Sequence, residues 1–135
     1  MTLHDLYTDT PMWNLPFDLL KEREPNQNIS HKEMPTWDAH CAFIQSRPYE
    51  AWYWFESQAG EPAGCIYLSR QREIGIGVLK SQRRQGLAKA AIQALMEKHP
   101  GEFLANINPL NSRSSKMFFK MGFELIQVTY RKEAE

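Results

Sequence analysis

Only Cys41 and Cys65 carry thiols in 135 residues, both in apolar surroundings and neither in a Cys-x-x-Cys pair. A disulfide framework and a thiolate metal site are therefore not expected, and two buried free thiols in a reducing cytosol are. No His, Cys, Asp and Glu residues fall at metal-ligand spacing, so no metal is expected. No run of about 18 apolar residues occurs, so no membrane-spanning helix is expected. Met1-Thr2-Leu3-His4-Asp5 lacks the basic and then apolar regions of a secretory signal, which favours a cytoplasmic location. The chain has no repeat, low-complexity tract or linker and reads as a single domain, 1–135. Three motifs are also missing. Without Gly-x-x-x-x-Gly-Lys-Ser/Thr a nucleoside triphosphatase is not expected. Without Gly-x-Gly-x-x-Gly a Rossmann site is not expected. Ser112, Ser114 and Ser115 lack the Gly-x-Ser-x-Gly setting of a nucleophile elbow.

What is present is an ordinary globular composition, 42% hydrophobic and 12% aromatic, with a formal net charge of zero. The charge is unevenly spread. Residues 1–79 hold 6 Lys/Arg against 11 Asp/Glu, and residues 80–135 hold 10 against 5. A polyanion on the second half and a cationic or amine-bearing molecule on the first would be favoured, although two solvated faces would look the same. The excess is too small for a nucleic-acid binder.

In chain order, a helix is expected after Pro16, with Phe17, Leu20 and Leu19 facing inward. Pro25 to Ser30 reads as a loop. A second helix runs from Thr36, its N-cap, to Arg47 before Pro48, with Trp37, His40, Cys41 and Ile44 as its apolar stripe. Three strands follow as an antiparallel meander, Glu50–Glu56, Ala63–Ser69 and Glu73–Leu79. Gly86–His99 is a helix with Leu87, Ala91, Ile92, Leu95 and Met96 on one face, ended by Pro100-Gly101. Glu102–Asn108 is a strand. Asn111–Lys120 is a helix capped by Asn111 and closed by Gly122, and Phe123–Arg131 is a final strand. The fold class is α+β (an α/β mixed sheet): two helices, a meander, then β-α-β-α-β. Its crossover makes strands 73–79 and 102–108 parallel, or splays them apart.

The stretch from Glu73 to Ile92 organises the rest. Along the strand, Ile74, Ile76 and Val78 share one face, and Glu73, Gly75, Gly77 and Leu79 the other. Two glycines on one face either leave the backbone open to a ligand or let the strand pack closely under a helix. The ligand reading is preferred, because the strand leads into Ser81-Gln82-Arg83-Arg84-Gln85-Gly86-Leu87-Ala88. A helix N-terminus has unpaired N–H groups and a favourable dipole for anions. Gly86 removes a side chain from the approach, and Arg83 and Arg84 add charge. The stretch reads as a pyrophosphate cradle, or else as a plain polar strand-to-helix connection.

Arg83-x-x-Gly86-x-Ala88 resembles the acetyl-coenzyme A loop, Gln/Arg-x-x-Gly-x-Gly/Ala, of the GNAT family of N-acetyltransferases. Asn111-x-x-Ser114, then an aromatic-rich turn into Gly122-Phe123, is similar to the family's second motif at the expected distance. The resemblance covers roughly residues 60–131 and looks nearest the ribosomal-protein and sugar-nucleotide branches. It implies that the Val78 backbone pairs with the pantetheine arm of acetyl-CoA. Backbone amides among Arg84, Gln85, Gly86, Leu87 and Ala88, with Arg83 beside them, would hold the pyrophosphate. Asn111 would contact the cofactor, or serve only as a helix cap.

The sequence departs from the family pattern at Lys80, where proline is frequent, and at Phe118. The latter is the usual place of a tyrosine that protonates the departing thiolate. Tyr130 and Ser115 are substitutes to consider. Glu73 is the candidate base, or else a partner of Arg70 or Arg72, with His31 and His40 as alternatives. The implied activity is transfer of an acetyl group from acetyl-CoA to a primary amine by direct attack in a ternary complex, on a small-molecule or peptide acceptor. The rival is a non-catalytic acyl-CoA-binding module. The acceptor pocket should lie between the N-terminal helices and the strand ends, with Trp37, Tyr53, Trp54 and Tyr67 as lining residues. An exposed aromatic strand over 50–56 would invite a homodimer.

Overall fold

The computed structural model describes residues 1–23 and 33–134. The loop expected over Pro25–Ser30, and His31, lie outside those residues. Five strands form one mixed sheet in the order β1-β2-β3-β4-β5. They are β1 (His4–Asp5), β2 (Ala51–Glu56), β3 (Pro62–Leu68), β4 (Glu73–Val78) and β5 (Leu104–Ala105). The first four are antiparallel neighbours, while β4 and β5 run parallel. The helices are α1 (Asn14–Lys21), α2 (Trp37–Gln45), α3 (Leu87–Lys98) and α4 (Ser112–Lys120).

Alternation along the strands sends side chains into two separate cores. On one face Phe55, Ile66, Leu68 and Ile74 pack with Leu87, Ala91, Ile92 and Leu95 of α3 and Phe118 of α4. On the other face Trp52 and Cys65 pack with Leu6, Trp13, Leu15 of α1 and Ile44 of α2. Burying each such large aliphatic side chain contributes about 1.5–3 kcal/mol, which is why the periodicity of α3 predicts its orientation so well. The helix has Leu87, Ala91, Ile92 and Leu95 buried as expected, and ends at Lys98.

α2 begins where its cap dictates. Thr36 Oγ1 accepts from the Ala39 amide at 3.1 Å. His40 and Ile44 are buried, while Trp37 at the helix start is 45% exposed. α1 starts at Asn14, two residues before Pro16, and buries Leu15 and Pro16 rather than the expected Phe17 and Leu20. β1 is new: two residues are too few to show a period. It covers the edge of β2, pairing His4 with Trp54 and Asp5 with Tyr53. The aromatic strand β2 is therefore internal to the sheet, which removes the exposed strand on which a homodimer was expected.

Two strand expectations need correction. The 102–108 strand pairs only over Leu104–Ala105. No strand forms over 123–131. Ile126, Val128 and Tyr130 alternate as a strand would, but alternation needs a partner ladder, and the tail pairs with none of the five strands. Leu125 is 86% and Tyr130 91% exposed. No helix among the described residues is long and apolar enough to cross a membrane.

Candidate active site

The parallel pair β4/β5 is joined at only two positions, Glu73 with Leu104 and Ile74 with Ala105. Beyond Ile74 the ladder stops, and β4 continues for four residues, Gly75 to Val78. Backbone direction there follows from the bonds at each end. The Glu73 carbonyl accepts from Ser69 N, and Leu79 N donates to Ala63 O, so odd-numbered residues face β3. The Arg72 carbonyl accepts from Leu104 N, so even-numbered residues face β5. The peptide groups of Ile76 and Val78 thus point into the splay. Part of that edge is engaged, since Arg83 Nε donates to the Val78 carbonyl at 3.4 Å.

At the open end of the splay β4 passes through a 3₁₀ turn, Lys80–Gln82, into α3. The turn is held from both sides by carboxylates. Lys80 N donates to Glu22 Oε1 at 2.8 Å, and Gln82 Nε2 to Glu61 Oε2 at 2.7 Å. Gln82, buried, also accepts from Gln85 Nε2 at 3.1 Å. The loop then turns through two left-handed residues, Arg84 (φ 66°) and Gly86 (φ 72°). Gly86 is the N-cap of α3, and no side chain caps that end. A Cβ built on Gly86 would meet nothing within 4 Å. The first turn of α3 therefore presents backbone N–H groups beside open space, with Arg83 half-buried and Arg84 exposed at its side. This arrangement suits a pyrophosphate. A cleft of about 400 Å³ opens on the β1/β2 side of the same helix end, lined by His4, Glu56, Gln58, Gln85, Gly86 and Leu87 among others.

Asn111 caps α4, its Oδ1 accepting from Ser114 N at 3.3 Å. The capping role is thus observed. Phe118 is buried in the α3-side core and meets Phe123 edge-on at 5.0 Å between centroids. Ser115 lies exposed on α4, and Tyr130 on the unpaired tail.

The vertex of the splay carries the polar residues. Glu73 and Asn106 lie on the α1/α2 face of the sheet, and Asn106 Nδ2 donates to Glu73 Oε2 across the two strands. This partner replaces the expected Arg70 or Arg72. Arg70 donates to the Pro48 and Arg47 carbonyls, and Arg72 to the Glu102 and His99 carbonyls. Asn106, which follows β5, was not expected as the partner of Glu73, because no period links residues 33 apart.

The glycine face is not open. A Cβ at Gly75 would sit 2.0 Å from Cζ of Tyr67, and one at Gly77 would sit 3.4 Å from Leu19 of α1. Close packing, not ligand access, is what these glycines permit, and the splayed edge is the accessible surface instead. His40 is buried, its Nε2–H donating to the Trp13 carbonyl at 2.8 Å, which makes it a structural link rather than a base. Of the four aromatic lining candidates, Tyr67 reaches β4. Tyr53 is on the opposite face, bonded through its hydroxyl to His99 Nε2 at 2.7 Å. Trp54 stacks on His4, and Trp37 packs against Phe17 and His40.

Burial raises the Tyr53 phenol and lowers the His99 imidazole from their ordinary values. Burial, with Tyr67 beside it, pushes the Tyr49 phenol up, and burial does the same to the Cys65 thiol.

This mixed sheet, whose parallel pair splays ahead of an uncapped, glycine-started helix, is the α+β fold of solved GNAT acetyltransferases. Residues 5–123 match the family model described as "Acetyltransferase (GNAT) family". The chain belongs to the GNAT acetyltransferases, whose members take their acetyl group from acetyl-CoA. Three solved structures share its fold. A phosphinothricin acetyltransferase from Sinorhizobium meliloti, in complex with AcCoA, has a TM-score of 0.73 and 23% identity, over 93% of this chain and 76% of that one. A spermidine N-acetyltransferase chimera that includes the Vibrio cholerae enzyme has a TM-score of 0.71 and 14% identity, over 92% and 82%. A ribosomal-protein-alanine N-acetyltransferase from Brucella melitensis has a TM-score of 0.65 and 16% identity, over 98% of both chains. No curated protein matches significantly. The acceptors named for the three differ, so the branch expected from sequence is not singled out.

Proposed function

We propose that this chain transfers the acetyl group of acetyl-CoA to a primary amine by direct attack in a ternary complex. One observation carries the reading: the β4/β5 splay has the uncapped α3 terminus at its open end and the Glu73–Asn106 pair at its vertex. Amides of Arg84, Gln85, Gly86, Leu87 and Ala88, with Arg83 beside them, take the pyrophosphate. From Val78 to Ile74 the strand rises about 13 Å, along which an extended pantetheine arm meets inward-facing peptide groups. For Val78 this engagement is through its N–H, and its carbonyl becomes available once Arg83 swings to the phosphate. Asn111 fixes the start of α4 and with it the loop that follows β5.

The thioester then lies near Ile74–Ile76. An N–H of β4 aimed into the splay stabilises the developing oxyanion, and binding both reactants at one vertex removes the entropy of encounter. Glu73, oriented by Asn106, takes the ammonium proton directly or through water. The acceptor approaches from the α1/α2 face, where Glu73 and Asn106 lie, and the acidic first half of the chain favours a cation there.

A second reading is a non-catalytic acyl-CoA-binding module. The buried Phe118, which has no proton to give, favours it. Thiol release from acetyl-CoA, measured with an amine panel of N-terminal peptides, polyamines and amino sugars, separates the two. Turnover with any of them supports the enzyme. Coenzyme A binding without turnover on all of them overturns it in favour of the module.

A further inference from the structure

We propose that Tyr67 is the proton donor to the departing coenzyme A thiolate, in place of the phenol that Phe118 lacks. The inference rests on the acetyltransferase reading above. Tyr67 stands directly opposite Gly75 in the β3/β4 ladder. Its ring has crossed the roughly 4.8 Å between strands. A Cβ on Gly75 would fall 2.0 Å from Cε2 and Cζ and 2.4 Å from the hydroxyl oxygen. The hydroxyl therefore lies over Gly75, the first residue past the last β4/β5 rung at Ile74. That is the vertex at which the thioester sits. Glu73, two residues earlier, projects on the same face.

The vertex thus joins a carboxylate and a phenol on one side of the sheet. A base for the nucleophile and an acid for the leaving group must occupy one site without exchanging roles, and a carboxylate beside a phenol meets that need. The other hydroxyl candidates have no such placement, since Ser115 is exposed on α4 and Tyr130 is 91% exposed on the tail. Tyr49 stacks on Tyr67 with centroids 3.7 Å apart and planes at 3°, which fixes the ring in this pose. Tyr7 in turn holds Tyr49, accepting from its amide at 2.9 Å and donating to its carbonyl at 2.8 Å.

In the step, the amine nitrogen bonds to the acetyl carbon and the carbon–sulfur bond breaks. The electron pair stays on sulfur, which takes the Tyr67 hydroxyl proton. The phenolate regains a proton from the former ammonium by way of Glu73 and water. No other reactant is consumed.

A ring covering a glycine across two strands could instead serve packing alone, so the test separates the two roles. Tyr67→Phe keeps the ring and removes only the hydroxyl. With an amine that supports turnover, kcat should fall about 100-fold or more, with coenzyme A affinity by calorimetry and the melting temperature unchanged. Tyr130→Phe, which removes a hydroxyl on the exposed tail, should cost under about threefold in kcat. An undiminished kcat in Tyr67→Phe overturns the proposal while leaving the acetyltransferase reading intact. So does a loss that tracks melting temperature or coenzyme A affinity, or an equal loss in Tyr130→Phe. Absence of turnover in the unaltered chain with every amine overturns both.

Discussion

Tyr67 lies across Gly75 so closely that a Cβ at position 75 would meet its ring at 2.0 Å, whereas Gly77, on the same face, has ordinary space before Leu19. The two glycines should therefore respond differently. Gly75→Ala must displace the ring and should cost about 1–3 kcal/mol by overpacking. Gly77→Ala meets Leu19 at van der Waals distance and gains the strand preference of alanine, so it should be neutral or stabilising by about 0.5–1 kcal/mol. Urea melts of the two variants check the contrast. Equal losses at both positions would mean that the ring does not discriminate between them.

The loop before α3 offers a pair of substitutions with opposite effects on stability. Gly86 sits at φ 72° with no atom near its missing Cβ. Gly86→Ala should cost about 1–2 kcal/mol from backbone strain alone and should weaken coenzyme A binding. Arg84 holds a similar φ of 66° without being glycine. Arg84→Gly should raise the melting temperature, since relief of strain exceeds the added unfolded-state entropy by up to about 1 kcal/mol. Losing its charge should still weaken coenzyme A binding. Calorimetric titration beside thermal melts reads both. A gain of affinity in either variant would count against the pyrophosphate cradle.

Much of this was legible because it is local. Thr36 and Asn111 announce helix starts by side chains that can cap them, and the Leu87–Leu95 stripe announces which side of α3 is buried. The splay was legible only as a topology, since a crossover from β4 to β5 allows parallel strands to part. Its residues were not. Gly75 and Gly77 report that something comes close, and a ligand and a tyrosine ring leave the same mark in sequence. The bond from Asn106 to Glu73 joins residues 33 apart, and no period links such positions. The tail after Phe123 shows the converse failure: a good strand pattern with no ladder partner.

Asn111 should separate a cap from a ligand contact. Asn111→Ala removes the acceptor for Ser114 N and should cost about 1 kcal/mol. Asn111→Asp keeps the cap and adds a charge near a helix N-terminus, so stability should hold or rise slightly. If the side chain also touches the cofactor, Asn111→Asp should still raise the KM for acetyl-CoA severalfold. An unchanged KM in the aspartate variant, with a destabilised alanine variant, would leave Asn111 as a cap alone.

Tyr53 and His99 set a pH window for the fold. The Tyr53 hydroxyl and His99 Nε2 share a hydrogen bond of 2.7 Å at the end of α3. Burial, the leading cause in both, lowers the pKa of His99 and raises that of Tyr53. As pH falls below about 6.5 the unfolded chain takes up the histidine proton before the folded one does, so stability drops with acid. Above about pH 9 the unfolded chain loses the Cys65 proton first, and above about pH 10 the Tyr53 and Tyr49 protons, so stability drops with alkali. Melting temperature followed from pH 5 to 10.5 should show a plateau between these limits. His99→Gln, which can still accept from Tyr53, should flatten the acid limb and spare the alkaline one. An acid limb of the same slope in that variant would assign the loss to other groups.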